Sequence, residues 1–97
     1  MSKLASTTVR IPAPLRPLTG GLGEVQVLGA TVGQALDALA VQFPELTERI
    51  LDSGGSVRGF VNLYLGDRNI NSLGGFEEAL SGGATLSIVP AVAGGVS

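Results

Sequence analysis

Side chains able to do chemistry are scarce in this sequence, and what is missing narrows the choice of chemistry. The 97 residues include no cysteine and no histidine. Disulfides, thiolate nucleophiles, imidazole bases and the usual zinc ligands are excluded together. Lys3 is the single lysine, and a serine without a histidine or a well-placed lysine is seldom activated. No catalytic residue, metal site or cofactor is therefore expected, and the chain does not read as an enzyme. Glu77, Glu78 and Asp67 read as carboxylates that begin a helical turn or sit in a hairpin, not as an acid–base pair. GGLG at 20–23 lacks the lysine and hydroxyl of a phosphate loop and reads as a turn. Arg10, Arg16, Arg49, Arg58 and Arg68 are scattered and the net charge is -2, so nucleic acid is not an expected partner.

One candidate group remains, and it belongs to the backbone. The stretch AVAGGVS at 91–97 sets Gly94 and Gly95 just beyond a strand-like run. Glycines at such a place add nothing to a core, but they let a chain pass a narrow channel and take whatever angles a partner imposes. From Pro90 to Gly95 an extended chain reaches roughly 17 to 20 Å, enough to carry a carboxylate into another protein's cleft. Gly-Gly pairs also occur at 20–21, 54–55, 74–75 and 82–83. The position beside a strand end is what distinguishes the last pair.

The elements that would hold this tail follow from periodicity. STTVRI at 6–11 alternates, with Val9 and Ile11 on one face, until Pro12, Pro14 and Pro17 stop it. EVQVL at 24–28 alternates again, so the two strands suggest a hairpin. Thr31 stands as N-cap before a helix with Val32, Leu36, Leu39 and Phe43 on one stripe, and Pro44 opens a second helical piece, 44–51, with Leu46 and Ile50 inward. A polar loop at 52–59 precedes FVNLYL at 60–65, the strongest strand signal, with a short return at RNI. LGGFEEAL allows one helical turn with Phe76 and Leu80 four apart, and ATLSIVP is a last strand with Leu86 and Ile88 inward. This order fits an α+β fold in which one main helix packs across a small mixed sheet, the first and last strands being able to pair in parallel. The expected division is a folded domain at 1–90 and a flexible tail at 91–97. With 44% apolar and 14% charged residues, part of the surface is expected to meet a partner. MSKLASTTVR lacks a signal peptide's apolar core and no stretch nears the ~20 apolar residues of a membrane helix, so a cytoplasmic protein without membrane contact is expected.

Together, VRIPAPLRPLTGG (9–21), FVNLYLGD (60–67) and TLSIVPAVAGG (85–95) make the chain resemble the ubiquitin-like sulfur carriers of the ThiS/MoaD family, with the β-grasp fold, and among them the CysO-type carriers of cysteine biosynthesis. The resemblance implies that the carboxylate of Gly95 is the working group. An E1-like enzyme would adenylate it with ATP, and a sulfur donor would displace AMP to leave a thiocarboxylate. Ala93, Gly94 and Gly95 would thread into partners, among them a cysteine synthase that depends on pyridoxal phosphate, or another sulfur acceptor. Val96 and Ser97 follow the Gly-Gly pair, so the resemblance further implies cleavage between Gly95 and Val96 by a JAMM-type metalloprotease.

Alternation with Val61, Leu63 and Leu65 inward would send Phe60, Asn62 and Tyr64 to the outer sheet face, where Thr85, Ser87 and Val89 would complete a contact patch at the root of the tail. Three further functions stay in view beside the carrier: the small subunit of molybdopterin synthase, a protein modifier joined to lysines, and an interaction domain whose tail does nothing.

Overall fold

A computed structural model of the chain describes residues 5–90. Its elements are β1 (Ala5–Arg10), β2 (Glu24–Gly29), α1 (Val32–Gln42), α2 (Pro44–Ile50), β3 (Val61–Leu65), β4 (Arg68–Asn69) and β5 (Thr85–Pro90), with 3-10 turns at Ala13–Thr19, Ile70–Ser72 and Gly75–Glu77. The strands form one sheet in the order β2-β1-β5-β3-β4. β1 and β5 pair in parallel at its centre, and every other pairing is antiparallel. The fold is the β-grasp arrangement of a mixed sheet gripping a main helix.

Alternation is what lets this sheet hold a core. Val9, Val27, Leu63 and Leu86 are buried on one face, and α1 lays Val32, Ala35, Leu36 and Leu39 against them. Leu46 and Ile50 of α2 extend the same core. The main helix starts where expected, because the Thr31 hydroxyl accepts the Gln34 N–H at 3.2 Å. It ends at Gln42, since the residue before Pro44 cannot easily stay helical. β2 and α1 run so close that a Cβ on Gly29 would lie 2.6 Å from the Ala35 backbone nitrogen.

Two segments differ from the sequence-based expectation. The proline-rich stretch does not merely stop β1; Ala13–Thr19 winds into a 3-10 helix. Proline fixes φ near the value that such a turn uses, and a 3-10 turn tolerates the missing N–H groups of Pro14 and Pro17. The Thr19 hydroxyl points between the Arg16 and Leu22 carbonyls at 3.0 and 2.9 Å, and Gly20, at φ 71, closes the turn. Downstream, LGGFEEAL makes only a three-residue 3-10 turn and then bends into extended backbone at Glu78. That bend is fixed on both sides. The Glu78 carboxylate accepts the Gly74 N–H, while the Glu78 carbonyl accepts the Val32 N–H and the Ala30 carbonyl accepts the Leu80 N–H. Phe76 and Leu80 still pack against the core, but from a loop that braces the start of α1.

Candidate functional site

The end of β5 is the last described part of the chain and the root of any tail. Leu86 and Ile88 fix it from inside, almost fully buried, whereas Val89 is 39% exposed. The parallel pairing with β1 ends at Arg10↔Ser87, but the antiparallel pairing with β3 continues through Asn62↔Val89 to Val61↔Pro90. Beyond Ser87 the strand is therefore held from one side only. Pro90 has no N–H, so it ends the ladder from within the sequence. Ala93, Gly94, Gly95 and Val96 lie outside the described residues.

Three of the expected surface residues share a face. Val61 and Leu63 are buried, so Asn62 and Tyr64 fall on the opposite side of the sheet, beside Val89 and Ser87 of β5. The Asn69 amide lies 3.4 Å from the Asn62 side-chain oxygen, which steadies that end of the face. Continuing across the sheet from Ser87 brings Arg10 and then Glu24, whose side chains approach to 3.7 Å. Both are well exposed, and such a pair contributes little to stability. It leaves the face with mixed polarity and small charge.

Phe60 is placed differently from the expectation. β3 begins at Val61, so Phe60 sits in the preceding turn and escapes the alternation. It is 60% exposed and borders a cleft of about 260 Å³ with Pro14, Leu15, Arg49, Ile88 and Pro90. Ile88 is an inward residue and Arg49 belongs to α2, so this cleft opens on the helix side of the sheet. The end of β5 thus lies between two unlike surfaces: a polar sheet face carrying Asn62, Tyr64 and Val89, and an apolar cleft carrying Phe60. Leu15 and Arg49 were not legible as neighbours of the end of β5. The prolines at 14 and 17 were the one available signal, because their spacing of three suits a 3-10 turn.

Other groups weighed in the sequence have local partners. The Arg16 Nε donates to the Ile11 carbonyl at 3.0 Å, and the Glu78 carboxylate is engaged by Gly74 at 2.8 Å. Among the described residues, no three acidic, histidine or cysteine side chains gather in a way that could hold a metal ion. Nor is any described helix long and apolar enough to cross a membrane.

Comparison with known proteins places this geometry among relatives. The model of the ThiS family matches residues 9–95. The sulfur carrier protein CysO of Mycobacterium tuberculosis is 39% identical over 92 residues, which span 93% of this chain and 99% of that protein. The crystal structure of the BexX/CysO complex of Amycolatopsis orientalis contains a chain with TM-score 0.83 and 37% identity, covering 92% of this chain and 99% of that one. The small archaeal modifier protein 1 of Methanosarcina acetivorans, solved in solution, gives TM-score 0.84 at 28% identity, with 95% and 98% of the two chains covered.

Proposed function

This chain belongs to the ThiS family, and from that premise we propose that it is a sulfur carrier, not a catalyst, whose working group is the carboxylate of Gly95. The observation that carries the reading is the extent of the family match, which runs past the end of β5 and stops on Gly95.

The proposed cycle starts with hydrolysis of the Gly95–Val96 peptide bond by a JAMM-type metalloprotease, which frees the carboxylate. A carboxylate is a poor electrophile. An E1-like enzyme spends ATP to join it to AMP, releasing pyrophosphate, and sulfide from a donor then displaces AMP to leave a thiocarboxylate. The carrier thereby holds sulfur without any cysteine of its own. At neutral pH the sulfur is anionic and nucleophilic, and delivery on a tethered tail raises its effective concentration at the acceptor. The acceptor in this reading is a cytoplasmic enzyme with pyridoxal phosphate that makes cysteine, or another enzyme of sulfur metabolism.

Each part of the described structure has a task in that cycle. The buried pair Leu86 and Ile88 anchors β5, which gives whatever follows Pro90 a fixed starting point. Asn62, Tyr64 and Val89 offer partners a sheet face on one side of that point, and Phe60 offers them an apolar edge on the other. The BexX/CysO complex of Amycolatopsis orientalis supports the coarser point that a relative of this chain binds another protein.

The test is the intact mass of untagged protein recovered from its own host. The expected result is a species ending at Gly95, part of it with sulfur in place of one carboxyl oxygen. If all the protein kept Val96 and Ser97 while the activating partners were present, the carrier reading would lose its working group. The likeness to an archaeal modifier supports a second reading, in which the activated Gly95 is joined to lysines of other proteins. Lysine-branched peptides carrying this chain's own stretch up to Gly95 would reveal it; no lysine or arginine lies between Arg68 and Gly95, so trypsin leaves residues 69–95 on the modified lysine.

A further inference from the structure

The inward row of β5 does not stop at Ile88. Pro90 stands opposite Val61 in the β3 register, and Val61 is buried, so Pro90 faces the same side of the sheet as Val61 and Ile88. Leu86, Ile88 and Pro90 thus form one row with a period of two. Ile88 and Pro90 both line the cleft of about 260 Å³, together with Leu15 from the 3-10 turn, Arg49 from α2 and Phe60 from the turn before β3. The next residue of the row is Val92, which lies outside the described residues.

The cleft suits an aliphatic side chain that arrives from Pro90. Its lining is apolar except for Arg49, and an arginine can lay its stem on apolar surface while its head stays in water. Phe60, 60% exposed, presents there a large aromatic surface that a neighbour can cover.

From this row we infer that the side chain of Val92 seats in the cleft against Phe60 and Leu15, which carries the inward pattern of β5 one step beyond Pro90. Proline holds φ at a value that extended backbone accepts, so one more extended residue, Ala91, brings Val92 to the inward side. Ala91 turns to the outer face, where Val89 already lies. Val96, the other valine beyond Pro90, is six residues away from it. It reaches the cleft only by a reversal that orders every residue between, at a higher entropic cost.

Seating Val92 orders two residues, and their lost freedom offsets most of what the covered methyl groups return. The docked and released forms therefore lie close in free energy. A chain ending at Pro90 loses little stability on this account, and a partner can draw Val92 out at small cost. While Val92 is seated, Ala93, Gly94 and Gly95 form the free part, with a reach of roughly 10 Å from it. Val92 is then a positioning residue, which sets where the working tail starts and on which side of the sheet it leaves. The placement stands on the fold, and its meaning for threading rests on the carrier reading of Gly95.

The test is nuclear magnetic resonance of the isotope-labelled full chain, without partner or sulfur loading, so its result is independent of the intact-mass experiment. Nuclear Overhauser contacts should join the Val92 methyl groups to the Phe60 ring and to Leu15, with the Val92 methyl resonances displaced by the ring. Phe60→Ala should remove that displacement, Val92→Ser should move the Phe60 ring resonances, and Val92→Ile should keep the contacts. The amide resonances of Val27 and Leu39, buried away from the cleft, should stay in place in all three variants. Val92 methyl groups that resonate as in a free valine, with no contact to Phe60, would overturn the proposal. So would contacts to Phe60 that come from Val96, or contacts that a mixture of labelled and unlabelled protein shows to run between copies.

Discussion

At the scale of single residues, Thr7 is the side chain least at ease in the fold. It is fully buried on the core face of β1, and its hydroxyl has no hydrogen-bond partner among the described residues. An unsatisfied buried hydroxyl costs free energy, while valine keeps the branched shape that a strand favours. Thr7→Val should therefore raise stability by about 1 kcal/mol, read as a higher urea midpoint at unchanged slope. A lower midpoint would mean that the hydroxyl has a role in the native state. Gly29 is the opposite case, a residue chosen for what it lacks, since the approach of Ala35 leaves no room for a Cβ. The alternation that marked Val9 and Ile11 as inward also puts Thr7 on that face. Nothing local to the sequence marks Gly29, because the atom that excludes a side chain there belongs to another element.

At the scale of elements, the start of α1 was legible because its determinants are close in sequence. Thr31 accepts from Gln34, and the Gln34 side chain in return accepts the Ala30 N–H at 2.9 Å. This reciprocal pattern satisfies two donors at the helix entrance. Thr31→Ala should cost about 1 kcal/mol, measured by urea unfolding followed by far-ultraviolet circular dichroism. An unchanged midpoint would show that the Glu78 carbonyl on Val32 and the other loop contacts hold the entrance alone. Of the segments that differed from expectation, the one after Leu73 has distant partners. The bend at Glu78 is set by hydrogen bonds to Ala30 and Val32, far back in the chain. Phe60 is a local case: it reads as strand from composition, but the Val61 N–H is claimed by the Arg58 carbonyl in a turn, so the regular alternation begins one residue later.

For the whole molecule, the central parallel pair decides how the site is displayed. β1 and β5 come from opposite ends of the chain, so their pairing closes the fold and makes β5 an interior strand whose end is exposed. The five described strands and the apolar cluster they bury account for a complete sheet and core within residues 5–90. A chain ending at Pro90 should consequently keep its urea midpoint while losing any adenylation or sulfur loading. A large fall in the midpoint would show that residues 91–97 belong to the folded domain and not to a tail.

By itself the sequence determined that cysteine and histidine are absent, roughly where the strands and the main helix lie, and that the Gly94-Gly95 pair comes after the last of them in the chain. Each of these depends on residue identity or on spacing within one element. Tertiary structure alone decided that Phe60 meets Leu15 and Arg49 in a cleft beside the end of β5, and that β2 presents a free edge flanked by Leu28 and Val41. The physical reason is the range of the interactions. Local patterning sets each element's apolar face, but which elements become neighbours depends on contacts between residues far apart in the chain, formed only when the sheet closes around its core.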